Sequence, residues 1–291
     1  MSTVWNAILS PGMFSESFMI NTWISGTIVA VISGIIGFFV VLRGSAFVAH
    51  ALPKGGFAGA AGAALLGVNT VIGLALFSVG GALSIGWLSR RGRHDVVTAL
   101  ILTFLLGTGD LFLNLHDVYA PEIYSLLFGE VLGVSGVEIV DTAVLGILCV
   151  AALVILYRPL MLASVMSEGA EARGIRVRQI EMCFLVIVGL ATAITVPIVG
   201  ALLTFSLMIA PAAAASYVTH HPMRAVGMSV AIAVVTVWIS ILVSYDTGLP
   251  VGFFVAAIAT AAYGLARGWR NLRSRGRLSA RDRQKLSEQT S

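Results

Sequence analysis

The chain has 291 residues, 58% of them hydrophobic and only 11% charged, with 31 glycines and a net charge of +4. Soluble domains run near a quarter charged, so this composition excludes an ordinary water-soluble globular protein, and the same hydrophobicity excludes disorder over most of the length. The positive charge is no signature of nucleic-acid binding: residues 267–291 hold eight Lys/Arg against two acids, while the preceding 266 residues hold ten basic and twelve acidic side chains.

Apolar runs long enough to cross a bilayer, about 20 residues each, fall in chain order near 18–42, 46–67, 69–88, 95–115, 138–156, 180–197, 198–218, 225–245 and 249–266. They predict an all-α polytopic membrane protein, a helical bundle of nine transmembrane spans. The count is eight if 180–218, divided only by Pro197, is one broken span. Residues 1–17 contain no Lys or Arg, so they lack the positive n-region of a secretory signal. They read as a short extracellular segment ahead of a transmembrane domain over 18–266 and a basic cytoplasmic tail over 267–291.

The basic residues orient the bundle. Arg43 follows the first run, Arg90, Arg91 and Arg93 the third, and Arg158, Arg173, Arg176 and Arg178 lie between the fifth and sixth. Arg224 follows the seventh run, and the tail follows the ninth. With the N-terminus outside and the C-terminus inside, all of these are cytoplasmic, as the positive-inside rule requires; Lys54 alone lies within a span. Residues 116–137 are then external, with room for a short re-entrant or interfacial helix over 123–132.

No enzyme motif is present: there is no G-x-x-x-x-G-K-[ST] loop, no H-E-x-x-H and no G-x-S-x-G. Cys149 and Cys183 sit apart in apolar runs and form no framework, and the adjacent His220 and His221 read as a loop. The chain is therefore expected to pass something through a bundle and to catalyse nothing itself. Ionisable residues inside spans mark the place to look, because lipid makes them costly. His50 and Lys54 lie four apart in the second run and share a helical face; Asp110 lies in the fourth, opposite in charge to Lys54. One reading puts all three around a polar pathway. The other makes Lys54–Asp110 a structural pair, with His50 bonded to a carbonyl. Pro53, Gly55, Gly56, Gly59 and Gly62 interrupt the same run, as in the broken helices of transport sites. The inner loop 157–179 carries a short helical piece, Glu168 to Arg173, stopped by Gly174. That is a shape suited to docking a soluble partner.

Five segments together carry a resemblance: VVLRGSAFVAHALPKGGFAG (40–59), YSLLFGEVLGVS (124–135), LYRPLMLASVMSEGAEARGI (156–175), VGALLTFSLMIAPAAAA (199–215) and SYDTGLPVGFF (244–254). In this order the chain resembles the permease subunits of ATP-binding-cassette importers for zinc, manganese and iron. The resemblance implies a plasma-membrane homodimer, two cytoplasmic ATPase subunits that use the ATP, and an extracellular metal-binding protein. No cofactor is then bound by this chain, and the cargo is a metal ion or a metal chelate. It also implies that Glu168, Ala170, Ala172, Arg173 and Gly174 form the element that seats on the ATPase. At the second span the family commonly carries D-A-L-S-H, whereas this chain carries H-A-L-P-K, with His50 and Lys54 at the two metal-ligating positions. His50 remains a candidate metal ligand; a protonated lysine is none. An anionic chelate suits Lys54 better than a bare ion. The alternative function is a secondary transporter that uses Asp110 and His50 as a relay.

Overall fold

The computed structural model describes residues 17–89, 94–115, 136–219 and 221–289. Among these residues the chain forms ten helices and no strand: α1 Ser17–Leu42, α2 Ala46–Leu65, α3 Thr70–Leu88, α4 His94–Leu115, α5 Gly136–Val165, α6 Ser167–Ala172, α7 Val177–Val199, α8 Ala201–Val218, α9 Pro222–Thr247 and α10 Val251–Gln289. Each apolar run of the sequence meets a helix. Seven of them, α1, α3, α4, α5, α7, α9 and α10, carry segments long and apolar enough to cross a membrane. α2 is diluted by His50, Pro53, Lys54 and its glycines, and the apolar part of α8 is short, Leu203–Val218. The expected helix over 123–132 and His220 lie outside the described residues.

Helix boundaries correct the expected loops in two places. The division of 180–218 falls at Gly200, whose φ of +93° is closed to most side chains. Pro197 is instead carried inside α7, where it costs only the bond to one carbonyl within a packed bundle. The inner loop is also shorter than 157–179, because α5 runs on through Pro159 to Val165, held by the fully buried Leu160. The tail proves to continue the last span without a break, as the second half of α10.

Between apolar helices in lipid there is little hydrophobic gain, so association depends on close backbone approach across small residues. α2 packs against α3 and α4, α1 against α9, α8 and α5, α3 against α7, and α8 against α10. Gly59 of α2 and Gly73 of α3 face each other so closely that a Cβ on either meets the other's carbonyl. On α1, a Cβ at Gly34 falls 2.7 Å from Val230 Cα of α9, and Ser229 Oγ donates to the Gly34 carbonyl at 2.8 Å. One buried cluster joins α1, α2, α5 and α7 through Phe39, Leu52, Leu153 and Phe184. A second joins α1, α8, α9 and α10 through Val29, Leu207, Val237 and Val255. The outward faces remain apolar, with Leu76, Leu100, Phe104, Ile147 and Ile155 exposed, as a lipid-facing surface requires.

Three helix ends share one device. Gly44, Gly67 and Gly174 adopt φ of +68°, +66° and +75° after α1, α2 and α6. Each makes the paired bonds of a Schellman stop: Gly44 N–H to Val41 O with Ser45 N–H to Val40 O, Gly67 N–H to Ala64 O with Val68 N–H to Ala63 O, and Gly174 N–H to Glu171 O with Ile175 N–H to Ala170 O.

Candidate functional site

α2 is the most enclosed helix around its charges: Ala51 to Pro53 and Gly55 to Ala63 are buried, while His50 and Lys54 are half-buried. The two stand about 6 and 12 Å along a helix about 30 Å long. Their i, i+4 spacing brings Lys54 Nζ to 2.9 Å from His50 Nε2. The imidazole stands edge-on to Phe205 of α8, with ring centres 4.7 Å apart, and its Nδ1 is buried without a hydrogen-bond partner. Pro53 withdraws the N–H that would otherwise serve the Ala49 carbonyl, so the helix is also locally loosened beside the pair.

Asp110 does not join them. Its side chain is exposed on α4, where Asn114 Nδ2 donates to its carbonyl at 2.9 Å and approaches its carboxylate at 3.4 Å. The reason is register. α4 lies along α2 with Leu105 against Gly55, Gly109 against Ala58 and Phe112 against Gly62. Lys54 is therefore level with the residue before Leu105, and Asp110 stands roughly 9 Å further along. Asp110 also follows Gly109 by one residue, which turns it about 100° off the face that meets α2. The expected Lys54–Asp110 pair is replaced by Lys54–His50. Among the described residues no group of three or more His, Cys, Asp or Glu is placed to hold a metal, and His50 belongs to none.

α6 lies between α5 and α7 at the face that carries Arg43, Arg173 and Arg176. Ala170 is fully buried and anchors it to the bundle, whereas Glu168, Ala172, Arg173 and Gly174 are exposed. Of the five residues expected to meet a partner, Ala170 is thus turned inward. A six-residue helix is far below the length that is stable alone, so its shape depends on that anchor and on the Gly174 stop.

Arg43 was read in the sequence only as a topology marker, and the structure gives it contacts. It is the cap residue between α1 and Gly44. Its Nη1 donates to Ser164 Oγ at 3.2 Å, three residues before α6, and its guanidinium lies 5.6 Å from the Phe184 ring centre on α7. Burial lowers its basicity from the ordinary value, and Glu181 opposes that shift. The single signal available for it was the arginine directly before a helix-stopping glycine. On α8 and α10, Tyr217 and Tyr263 hydroxyls lie 3.2 Å apart, and Arg270 stands 5.3 Å over the Tyr217 ring.

A bundle of lipid-facing apolar helices, with a lysine–histidine pair inside one of them and a short helix presented at one surface, is the build of a multi-pass membrane transport protein. Residues 15–267 match the ABC 3 transport family, and the chain belongs to that family, as a protein of the plasma membrane. It is 26% identical over 257 residues to the manganese transport system membrane protein MntC of Listeria innocua, covering 88% of this chain and 91% of that one. It is 25% identical over 228 residues to the high-affinity zinc uptake system membrane protein ZnuB of Haemophilus influenzae, covering 77% and 87%. The solved structure of PsaBC from Streptococcus pneumoniae in complex with Fab has a chain of the same fold, with a TM-score of 0.80 at 20% identity over 88% of this chain and 93% of that one.

Proposed function

We propose that this chain is the permease subunit of an ATP-driven importer of a transition metal, manganese, zinc or iron, carried as the ion or as a chelate. Two copies form the pathway across nine spans each, α1–α5 and α7–α10, with the N-terminus outside. Two cytoplasmic ATPase subunits and an extracellular metal-binding protein complete the assembly. Closure of the ATPases moves the α6 helices and biases the bundle between outward and inward access. His50 and Lys54 line the pathway; Asp110, exposed on α4, stands nearer its outer end.

The observation that carries this reading is α6, a helix too short to persist alone, pinned by Ala170 and ended by Gly174, with Glu168 and Arg173 facing outward. In proteoliposomes holding the permease with its ATPase, metal uptake is expected to require ATP. Glu168→Lys and Arg173→Glu are expected to insert normally while ATP hydrolysis loses its dependence on loaded binding protein. Uptake driven by an imposed proton gradient without ATP would replace this reading with a secondary transporter.

A further inference from the structure

We propose that the His50–Lys54 pair is an anion-recognition site, which holds the acceptor oxygens of a negatively charged metal chelate and does not coordinate a bare divalent cation. This rests on the permease reading and names the form in which the metal passes α2.

The chemistry follows from the placement of three nitrogens. Lys54 Nζ and His50 Nε2 are 2.9 Å apart, a distance at which one must accept. An ammonium has no lone pair to give, so with Lys54 as the donor Nε2 supplies its lone pair to the contact. The ring is then neutral and its one N–H is on Nδ1. That nitrogen is buried and meets no acceptor among the described residues. A buried donor left without a partner is costly, and native structures supply one from a water or a ligand where the chain does not.

The pair accordingly offers an incoming ligand the remaining ammonium protons and one imidazole N–H. Every group on offer is a donor, the net charge is +1, and no lone pair is free. A divalent cation needs lone pairs, and no group of His, Cys, Asp or Glu on the described chain makes up the deficit. An oxygen-rich anion can supply separate acceptor oxygens to the ammonium and to the orphaned Nδ1–H on the other edge of the ring. Lys54 is half-buried and therefore reachable, while Phe205 closes one edge of the imidazole.

The test measures binding apart from turnover. The permease–ATPase complex in nanodiscs, without nucleotide, is titrated with radiolabelled ferric citrate, with metal-free radiolabelled citrate and with radiomanganese chloride. Ferric citrate is expected to bind more tightly than either. Lys54→Met is expected to weaken it roughly ten- to hundredfold, the loss for a hydrogen bond to a charged group. Lys54→Arg, which keeps charge and donors, should stay within a few-fold of the parent and shows that the site is folded. His50→Asp with Lys54→His should shift preference to manganese. Manganese binding that disappears in His50→Ala, or ferric citrate binding unchanged in both Lys54→Met and His50→Ala, overturns the proposal. Equal binding of metal-free citrate overturns the chelate as cargo. Uptake by proteoliposomes separates the two readings. ATP-driven manganese uptake unchanged in Lys54→Met preserves the importer and removes the anion site. Lys54-dependent chelate binding without ATP-driven uptake of any metal does the reverse.

Discussion

Gly174 is the most economical place to test whether α6 transmits force. At φ of +75° a β-branched side chain crowds the backbone, and the left-handed conformation costs an L-residue about 1–2 kcal/mol. Two bonds depend on that conformation, Gly174 N–H to Glu171 O and Ile175 N–H to Ala170 O. α6 has six residues, so it has no propagation energy with which to absorb the loss. Gly174→Val should therefore reduce the population of the stopped helix by a factor of about 5 to 30. The rest of the bundle should be untouched, because a Cβ at Gly174 meets nothing within 4 Å. Gly174→Asn, which tolerates the left-handed region, should lose less. The assay is ATP hydrolysis by the reconstituted complex with and without loaded binding protein, beside the thermal midpoint of the purified permease. Stimulated hydrolysis in Gly174→Val equal to that of the parent would refute the claim that the shape of α6 matters, and a lowered thermal midpoint would refute the claim that its effect is local.

Because Lys54 and Asp110 do not contact each other, a double-mutant cycle of Lys54→Ala with Asp110→Asn should be additive within about 0.5 kcal/mol, whereas Lys54→Ala with His50→Ala should show measurable coupling; both are read from unfolding in detergent. Gly73→Leu places a Cβ against the Gly59 carbonyl and 2.6 Å from Ala63 Cβ and should cost about 1–3 kcal/mol by overpacking, seen as a lowered unfolding midpoint, while Gly80→Leu, which has open space, should not. Truncation after Leu272 should leave uptake at the parental rate, and truncation after Gly268 should lower stability by about 0.5–1 kcal/mol through loss of the Arg270–Tyr217 contact.

The helices were legible, and seven of them as membrane-length segments, because a membrane helix must satisfy its backbone internally and show lipid an apolar surface, and both demands are written in run length. The His50–Lys54 contact was legible for a related reason, since i, i+4 spacing within one helix fixes proximity without any knowledge of neighbours. The Lys54–Asp110 pairing was the reading that failed, because opposite charge in two spans says nothing of helical phase or height, and those are set by where Leu105, Gly109 and Phe112 settle against α2. The break at Gly200 was missed for the more conspicuous Pro197, although a proline in a packed helix loses one bond whereas a positive φ ends the helix. Ala170 is a case of the opposite kind, since an alanine among exposed neighbours carries no sequence mark of being the anchor. Gly44 and Gly67 use the same motif that was read at Gly174; the apolar runs already end beside them, at 42 and 67, but run length marks where a helix stops and not which residue stops it.

The unbroken course of α10 has a mechanical consequence. Its 39 residues contain no proline and extend about 58 Å, of which about 26 Å lies beyond Leu272, the end of its membrane-length segment. A continuous helix rooted against α8 and α9 behaves as a pointer. A tilt of about 5° at the root, small beside ordinary helix rearrangements, sweeps the far end through about 5 Å. Residues that touch no cargo would then magnify the bundle's internal motion, and a pair of spectroscopic labels near Gln289 in two copies would register it as a change in distance before any metal crossed.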